Sequence, residues 1–339
     1  MTLPSFLRKV AATGVAGLML ANSALAQVQM TYAHSENPSA VTAAEAFKAI
    51  VEGQSAGEIR VDLVIHSTLG GDRDVVDQMR LGELEFYVPG IHGLSGIAPN
   101  VQMFDAPYLF ANRNEFYALM RDDDLVAYVR DHILERSGNT IRFLGAAENS
   151  VRNLYSSHGP IRLPSDLGPV KLRVPPGPLN LAVWQGLGIG SVVGLSGAER
   201  NQGLQTGIID ATEGSLSGAM SAGHVDLLGN ITMTGHSFSY MAYVVNEEFW
   251  QGLTDAQRDI ISAATELSII VQNGAAMTSE LNALRDAAAG GANITILSPA
   301  EAAVWQETAF PVGQQFIADN LDDDFAERVQ SAIDAIRAR

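Results

Sequence analysis

The sequence predicts an α/β fold of two modules followed by a helical C-terminal third. The 339 residues are 47% hydrophobic and 17% charged, which is the composition of a folded chain long enough for about two domains. The first part of the chain alternates strand and helix patterns in the order β-α-β-α-β, which is typical of a mostly parallel sheet with helices on its faces. A similar alternation returns after residue 140.

The first 26 residues have the pattern of a secretory signal. Arg8 and Lys9 precede an apolar run, 10–20, that is too short to cross a hydrocarbon core of ~30 Å as a helix. Ala24-Leu25-Ala26 matches the small-x-small pattern that signal peptidase cleaves, which predicts a mature chain beginning at Gln27. Because no cysteine is available for lipid attachment, we expect a soluble secreted product, and we expect no later membrane span.

The first module is predicted to contain three strands and two helices. Alternating apolar residues favour strands, and polar turns that contain Pro38 or the Gly70-Gly71 pair precede the helices. The predicted elements are strand 27–33, helix 40–52, strand 58–65, helix 74–81 and strand 84–88.

The second module and the C-terminal third follow the same patterns. We predict strands over 141–147, 170–174 and 191–195 and helices over 179–187, 255–289 and 299–339. A Gly-Gly-Ala-Asn segment at 290–293 separates the last two helices.

Charge and residue types exclude several classes of protein. A net charge of −17 has the wrong sign for a nucleic-acid partner. The absence of cysteine removes thiolate zinc sites, redox motifs and thiol nucleophiles. The seven histidines include no pair spaced i, i+4, and nothing resembles GxSxG, HExxH, a P-loop or a dinucleotide fingerprint in its strand-turn-helix setting. We therefore expect no catalytic residue, metal ion or cofactor.

The segment Gly70-Gly71-Asp72-Arg73 allows two interpretations. The pattern favours a turn in which Asp72 caps the following helix. Alternatively, the backbone N–H groups of the glycines cradle an anion.

Two arginines in strand-like segments need anionic partners. Arg152 lies in the segment 150–156 and Arg173 in Lys171-Leu172-Arg173-Val174-Pro175. A buried guanidinium without a partner is costly, so each arginine is compatible with an internal ion pair or with a bound anion. Two such residues in one module favour a ligand carboxylate, because the guanidinium fork binds it with two hydrogen bonds.

A longer motif resembles a known family. Leu204-Gln205-Thr206-Gly207-Ile208-Ile209-Asp210-Ala211-Thr212-Glu213 resembles the "ALQxGxVDGxE" signature of the solute-binding proteins of tripartite ATP-independent periplasmic (TRAP) transporters, the DctP family. Other family motifs match in the same order at 70–73 with 78–82, at 106–110, at 164–167 with 171–175, and at 232–237. Their joint order and spacing identify the chain as a member of this family.

The resemblance implies a two-lobed periplasmic binding protein fold with mixed, mostly parallel sheets, crossing strands and a long hinge-spanning helix. We expect lobe I to comprise 27–150 and about 237–278, lobe II to comprise 151–236 and about 279–311, and a helical segment to follow at 312–339. The ligand would lie between the lobes. The implied partners are a small organic acid and the small and large membrane subunits of the transporter, and the implied location is the periplasm.

The resemblance also implies which residues bind the ligand. The family's "KxRv" arginine, which pairs with the substrate carboxylate, corresponds to Arg173, and an assisting arginine corresponds to Arg152. The family commonly has Asn directly after the signature Glu, whereas Glu213 is followed here by Gly214 and Ser215. The missing amide leaves room for a bulkier ligand or transfers its hydrogen bond to Ser215.

Other residues near the signature have open roles. Asp210 and Glu213 either contact the ligand or only cap a turn and orient the arginines. The family's "fsExY" motif corresponds to Gly197-Ala198-Glu199-Arg200-Asn201, which lacks both aromatic residues and predicts an altered cavity wall.

Lobe I is expected to contribute the loops after its first and third strands, because ligands of open α/β sheets lie at the carboxyl ends of strands. Since Phe86 and Tyr87 point to opposite faces, one of them should face the cleft or solvent while the other packs inward. His236 and Tyr240 lie where the chain crosses back between the lobes, where a hinge hydrogen bond and a ligand contact are both possible. The candidate ligand contacts in these segments are His34, Glu36, Tyr87, His236 and Tyr240.

These observations favour a binding protein for a small organic acid that performs no chemistry of its own. Two alternatives stay open. One is a secreted enzyme in which Glu213 or Asp210 acts as general base. The other is the binding component of a signalling system that uses the same fold.

Overall fold

The computed structural model describes residues 27–339, so the predicted signal segment 1–26 lies outside the described residues. The strands are β1 Val28–His34, β2 Ile59–Ile65, β3 Phe86–Tyr87, β4 Ile141–Ser156, β5 Lys171–Val174, β6 Ser191–Gly194, β7 Ala211–Ser215, β8 Asn230–Asn246 and β9 Asn293–Ile296. The helices are α1 Pro38–Gln54, α2 Asp72–Arg80, α3 Arg113–Leu119, α4 Asp123–Arg136, α5 Pro178–Gly186, α6 Gly197–Gln205, α7 Leu216–Ser221, α8 His224–Leu228, α9 Glu247–Gly252, α10 Asp255–Ala289, α11 Pro299–Asn320 and α12 Asp323–Arg337.

The strands form one mixed sheet in the order β2-β1-β3-β8-β4-β7-β5-β6, with β9 also paired to β8. The β1/β2, β1/β3, β5/β6, β5/β7 and β8/β9 pairs are parallel. The pairs β3/β8, β8/β4 and β4/β7 in the middle of the sheet are antiparallel. The predicted α/β class with a mixed, mostly parallel sheet is confirmed.

Two long strands cross the molecule and join its halves. β4 and β8 pair from Ile141 opposite Asn246 to Ser156 opposite Asn230, with shifts in register after Phe143, after Glu148 and after Arg152. Such bulges bend strands and redirect side chains, often beside binding sites. β4 is more than twice as long as the predicted strand 141–147, because polar residues that interrupt its apolar pattern are buried against α10 and β8. The predicted lobe boundaries at residues 150 and 236 fall inside these strands, and the division into lobes stays a prediction.

α10 is the long helix that the family resemblance implies. Thr254 caps its N-terminus together with Gln257, and its 35 residues extend about 50 Å. By length and composition alone, α10 could cross a membrane. The expectation that no stretch after the signal segment is long and apolar enough to do so was therefore wrong. The helix packs along α1 and β4, with Ile261 and Ala264 buried in an apolar cluster, and buried core helices pass the same test.

Two predictions about helix ends are corrected by the structure. The predicted helix 299–339 is two helices, because the chain leaves helical geometry at Leu321 and Asp322 caps α12. Asp72 does not cap α2; the Asp74 carboxylate accepts the Gly71 N–H at 3.0 Å instead.

Phe86 and Tyr87 do lie on opposite faces, but both are fully buried, contrary to the expectation that one faces the cleft or solvent. Phe86 stacks with Tyr32 on one face of the sheet, and Tyr87 belongs to the apolar cluster on the other. The physical reason is that the sheet is covered on both faces at this point.

Candidate functional site

A cavity of about 380 Å³ lies between the carboxyl ends of the two groups of parallel strands. The segments that follow β1, β2 and β3 form one wall, and β5, β7, α6 and α7 form the other. Residues of the crossing strands β4 and β8 lie between the two walls. This is the position expected for a ligand site in open α/β sheets.

Arg173 reaches the cavity from the end of β5 and has no acidic partner. Its Nε and Nη2 atoms donate to the Leu195 carbonyl at 2.8 and 2.5 Å. In the described part of the chain no carboxylate makes an ion pair with it, and it is buried. Burial, reinforced by the nearby positive charge of Arg200, lowers the pKa of Arg173 below its ordinary value. The guanidinium is therefore oriented by a backbone carbonyl while its charge is left uncompensated.

Arg152 and Glu213 form a buried ion pair across β4 and β7. Arg152 Nε donates to Glu213 Oε2 at 2.6 Å, and Nη2 donates to Oε1. Although burial alone would raise it, the pKa of Glu213 is held well below its usual range by Arg152 and by His236. Both members of the pair line the cavity. The charge of Arg152 is thus already balanced inside the protein.

His236 supports this pair from behind the cavity. Its Nε2 lies 3.2 Å from Glu213 Oε2 and its Nδ1 lies 2.8 Å from the Thr234 hydroxyl oxygen. Trp184 packs against the imidazole at nearly a right angle, with ring centroids 5.0 Å apart. Burial lowers the pKa of His236. The residue positions Glu213 and does not line the cavity.

The departure from the family motif at Gly214 and Ser215 opens space. Both residues line the cavity, and a Cβ built on Gly214 would meet no atom within 4 Å. Gly214 has φ +152°, a backbone conformation that would be strained for any residue with a side chain. The Ser215 oxygen accepts the Gly218 N–H at 3.2 Å and caps α7, which leaves its hydroxyl proton free to donate.

Only one of the three lobe I candidates lines the cavity. Glu36 is exposed at its edge, where Ser67 Oγ donates to it at 3.4 Å. His34 is buried, with Nδ1 2.8 Å from the Ser35 carbonyl oxygen. Tyr87 is buried, and its hydroxyl donates to Asp72 Oδ1 at 2.8 Å.

Tyr240, the candidate on β8, also lies outside the cavity lining. Its ring stacks on Phe116 with centroids 3.6 Å apart, and the side chain is buried. Asp210, whose role was open, accepts the Lys171 N–H at 2.7 Å and pairs with His158. These contacts stabilise the local chain around Asp210.

The sequence interpretation missed a histidine and aspartate cluster in the lobe I wall. His92 lies 3.5 Å from Asp72 through Nε2 and 3.5 Å from Asp105 through Nδ1, and His66 lies 3.7 Å from Asp72. Burial opposes the change, but the adjacent carboxylates of Asp105 and Asp72 raise the pKa of His92 to about 9. A Cβ on Gly90 would lie 2.4 Å from His92 Cε1. Gly90, which follows β3, was therefore the sequence feature that could have pointed to this cluster.

The opposite wall contains two further residues that were not predicted as contacts. Arg200 and Asn201 project from α6 into the cavity, and Arg200 Nε is buried with no hydrogen-bond partner among residues 27–339. The departure from the "fsExY" motif was the signal that could have identified them.

The arrangement suits reversible capture of an anion. The cavity combines one internally balanced arginine with two uncompensated ones, and hydrogen-bond donors surround them. Within residues 27–339, no group of three or more His, Asp or Glu side chains is placed to hold a metal ion.

Comparison with known proteins assigns the family. The model of bacterial extracellular solute-binding protein family 7, DctP, matches residues 30–320. The chain belongs to this family. The C4-dicarboxylate-binding periplasmic protein DctP of Shewanella loihica is 26% identical over 311 residues, 90% of each chain. The 2,3-diketo-L-gulonate-binding periplasmic protein YiaO of Escherichia coli K12 is 26% identical over 257 residues, 75% of this chain and 76% of that protein.

Solved structures of family members share the fold. A TRAP periplasmic solute-binding protein from Shewanella oneidensis with bound succinate has a TM-score of 0.83 and 25% identity, covering 91% of this chain and 100% of that one. The sugar acid binding protein of Advenella mimigardefordensis in complex with galactonate has a TM-score of 0.84 and 21% identity, covering 91% and 97%. The predicted membership of the TRAP solute-binding family is confirmed.

Proposed function

We propose that this chain is the periplasmic solute-binding protein of a TRAP transporter. It captures a small organic acid anion between its two walls and delivers the anion to the membrane subunits. The observation that carries the proposal is Arg173, a buried guanidinium in the cavity whose only hydrogen-bond partner in the described chain is the Leu195 carbonyl. A ligand carboxylate would supply the missing charge.

The names of its relatives support the chemical class of the ligand. YiaO and the dicarboxylate-binding DctP proteins are named for acids that they bind. The matched periplasmic relatives support a periplasmic location for this chain. The proposed delivery to membrane subunits is supported by the likeness to solved structures that are described as TRAP periplasmic solute-binding proteins.

The enzyme alternative has weaker support. A general base must accept a proton readily near neutral pH, whereas the pKa of Glu213 is kept far below neutral by Arg152 and His236. The other carboxylate considered for this role, Asp210, is engaged by the Lys171 N–H and by His158.

Arg173→Ala is expected to weaken acid binding strongly and leave the fold intact. Removing the fork leaves the bound carboxylate unpaired, which should cost about 2 kcal/mol or more of binding free energy. A panel of organic acids, with neutral sugars as controls, is screened by thermal denaturation followed by circular dichroism. An acid at ~100 times its Kd stabilises the wild type by about 2.7 kcal/mol, and the variant should lose this gain.

Two matched variants make the test specific. Arg162→Ala removes an exposed arginine that pairs with Glu301 outside the cavity, and it should bind as wild type does. Arg173→Lys keeps the charge but loses the fork, so it should bind weakly. Wild-type affinity in Arg173→Ala would refute the assigned role of Arg173.

A further inference from the structure

The two walls of the cavity touch where the N-terminus of α1 meets α7. Asn37 of the lobe I wall and Gly218 of the opposite wall both line the cavity. A Cβ built on Gly218 would lie 2.5 Å from Asn37 Oδ1, closer than real Cβ atoms approach another heavy atom. The walls come this near to each other because residue 218 has no side chain.

The Asn37 side chain is held in place from the lobe I side. Its Nδ2 donates to Asn149 Oδ1 at 3.2 Å, and the same oxygen accepts from the Ser39 hydroxyl at 3.3 Å. Asn149 and Ser39 are buried, and Pro38 restricts the backbone of Asn37. Turning Asn37 Oδ1 away from α7 would therefore break the bond between Asn37 and Asn149.

On the opposite wall, Gly218 is held within α7. Its N–H donates to the Ser215 hydroxyl oxygen at 3.2 Å, and Ser215 caps the helix. A Cβ on residue 218 would also lie 2.7 Å from Ser215 Oγ. An added side chain would thus meet one atom of its own helix and one atom of the other wall. Only the second contact depends on how far apart the walls stand.

A second meeting place of the walls has more room. Gly71, directly before α2, faces Ser196, the N-cap of α6. A Cβ on Gly71 would lie 3.7 Å from Ser196 Cβ, an ordinary van der Waals distance. The Gly71 N–H is bound by the Asp74 carboxylate. Alanine at position 71 therefore fits between the walls as they stand, whereas alanine at position 218 does not.

We propose that Gly218 and Asn37 are positioning residues that set how closely the two walls approach each other around a ligand. This inference rests on the proposed function and concerns the closing of the walls, not the identity of the acid. With alanine at position 218, α7 stops short of α1. A ligand bound to Arg173 on the opposite wall then loses contacts with the lobe I wall. Every ligand is affected, because the clash is between the walls.

The test is a double-variant cycle. The acid that binds wild type best is titrated by calorimetry into wild type, Gly218→Ala, Asn37→Ala and the double variant. Gly218→Ala should raise the Kd about tenfold or more, because an overpacked contact has that cost. In the Asn37→Ala background, which lacks Oδ1, the same glycine change should alter the Kd by less than about twofold.

The cycle removes two simpler explanations. Any direct loss of ligand contact with the Asn37 amide is shared by Asn37→Ala and the double variant, so it cancels in their comparison. Any disturbance of Ser215 by the new Cβ is the same in both backgrounds and would appear as an equal effect.

Three further measurements complete the test. Gly71→Ala, the matched control, should keep the wild-type Kd. Ligand-free Gly218→Ala should have a urea midpoint close to that of wild type, because the walls are free to stand apart when no ligand draws them together. Small-angle X-ray scattering at saturating acid should give a larger radius of gyration for Gly218→Ala than for wild type.

Any of four results would overturn this inference and leave the solute-binding role in place. Gly218→Ala could bind as tightly as wild type, or the glycine change could weaken binding equally in both Asn37 backgrounds. The two radii of gyration at saturation could be equal. Ligand-free Gly218→Ala could fail to fold, which would show that the contact is permanent packing. A wild type that binds no acid of the panel overturns both proposals.

Discussion

His92 is a buried imidazolium between two carboxylates at the cavity wall. The adjacent carboxylates of Asp105 and Asp72 raise its pKa to about 9, from an ordinary 6.5, against the effect of burial. The imidazolium therefore offsets negative charge that no arginine pairs with in the described chain. The lobe I wall is therefore polar but close to balanced, unlike the wall that holds Arg173 and Arg200.

We expect the stability of the ligand-free protein to fall as the pH rises from about 6.5 to about 9. The folded state holds the His92 proton more tightly than the unfolded state, so this stabilisation is complete below the unfolded pKa and is lost as the pH passes the folded one. The shift corresponds to roughly 3 kcal/mol. Urea unfolding of wild type and His92→Gln at about pH 6 and pH 9 measures most of it.

The control for this pH effect is His158→Gln, which changes an exposed histidine outside the cavity. It should show the same decline as the wild type, whereas His92→Gln should show little decline. A parallel decline in wild type and His92→Gln would contradict the role of His92.

At the residue scale, the sequence indicated that the strand residues Arg152 and Arg173 belong to the binding site, but it did not indicate the helix residue Arg200. Arg152 and Arg173 stand out because they interrupt apolar runs and match a family motif. Arg200 lies in Glu199-Arg200-Asn201, which has the composition of an ordinary solvated helix. Only the fold, which turns this side of α6 toward the cavity, shows that its charge is enclosed.

At the element scale, a glycine sets how closely α11 approaches the rest of the protein. Gly313 is buried, and a Cβ there would lie 2.8 Å from Cδ of Pro107, whose ring is stiff. Gly274 is a glycine in the interior of α10 that is exposed, and a Cβ there would meet no atom within 4 Å.

Alanine at these two positions should have opposite effects. Gly313→Ala should destabilise the protein by about 1–3 kcal/mol, because overpacking outweighs the better helix propensity of alanine. Gly274→Ala should stabilise it by about 0.5–1 kcal/mol through propensity alone. Urea unfolding of each variant gives both values, and a stabilised Gly313→Ala would show that α11 tolerates the side chain by shifting.

Elements with clear end signals were predictable. α10 begins at the Thr254 capping box and ends before Gly290-Gly291, and α5 begins at Pro178, directly after Gly177. The continuity of β4 through Glu148-Asn149-Ser150 was not predictable, because these three residues look like a loop in sequence. These polar groups are buried because they bond to α10 and β8, which are distant in the chain.

At the scale of the whole molecule, β4 ties the two halves into one structure. Phe143, Ala147, Leu154 and Tyr155 belong to four different apolar clusters, two around β1–β3, one around β5 and β7, and one around α7 and α8. If either half unfolded, β4 would be disrupted, and the apolar clusters of the other half would lose contacts with this strand.

The ligand-free protein should therefore unfold in a single cooperative transition. Differential scanning calorimetry should give a calorimetric enthalpy equal to the van't Hoff enthalpy. Two resolved transitions, or a calorimetric enthalpy well above the van't Hoff value, would show that the halves fold independently in spite of the shared strands.

The contact of Trp184 with His236 gives the protein an optical reporter of its own. The indole packs against the imidazole that holds Glu213, and Glu213 lines the cavity. An anion that arrives beside Arg152 and Glu213 changes the electric field at that imidazole and hence at the indole. Trp250, near Arg142 outside the cavity, senses a different environment. Intrinsic fluorescence can thus follow occupancy of the cavity in real time, without an attached dye.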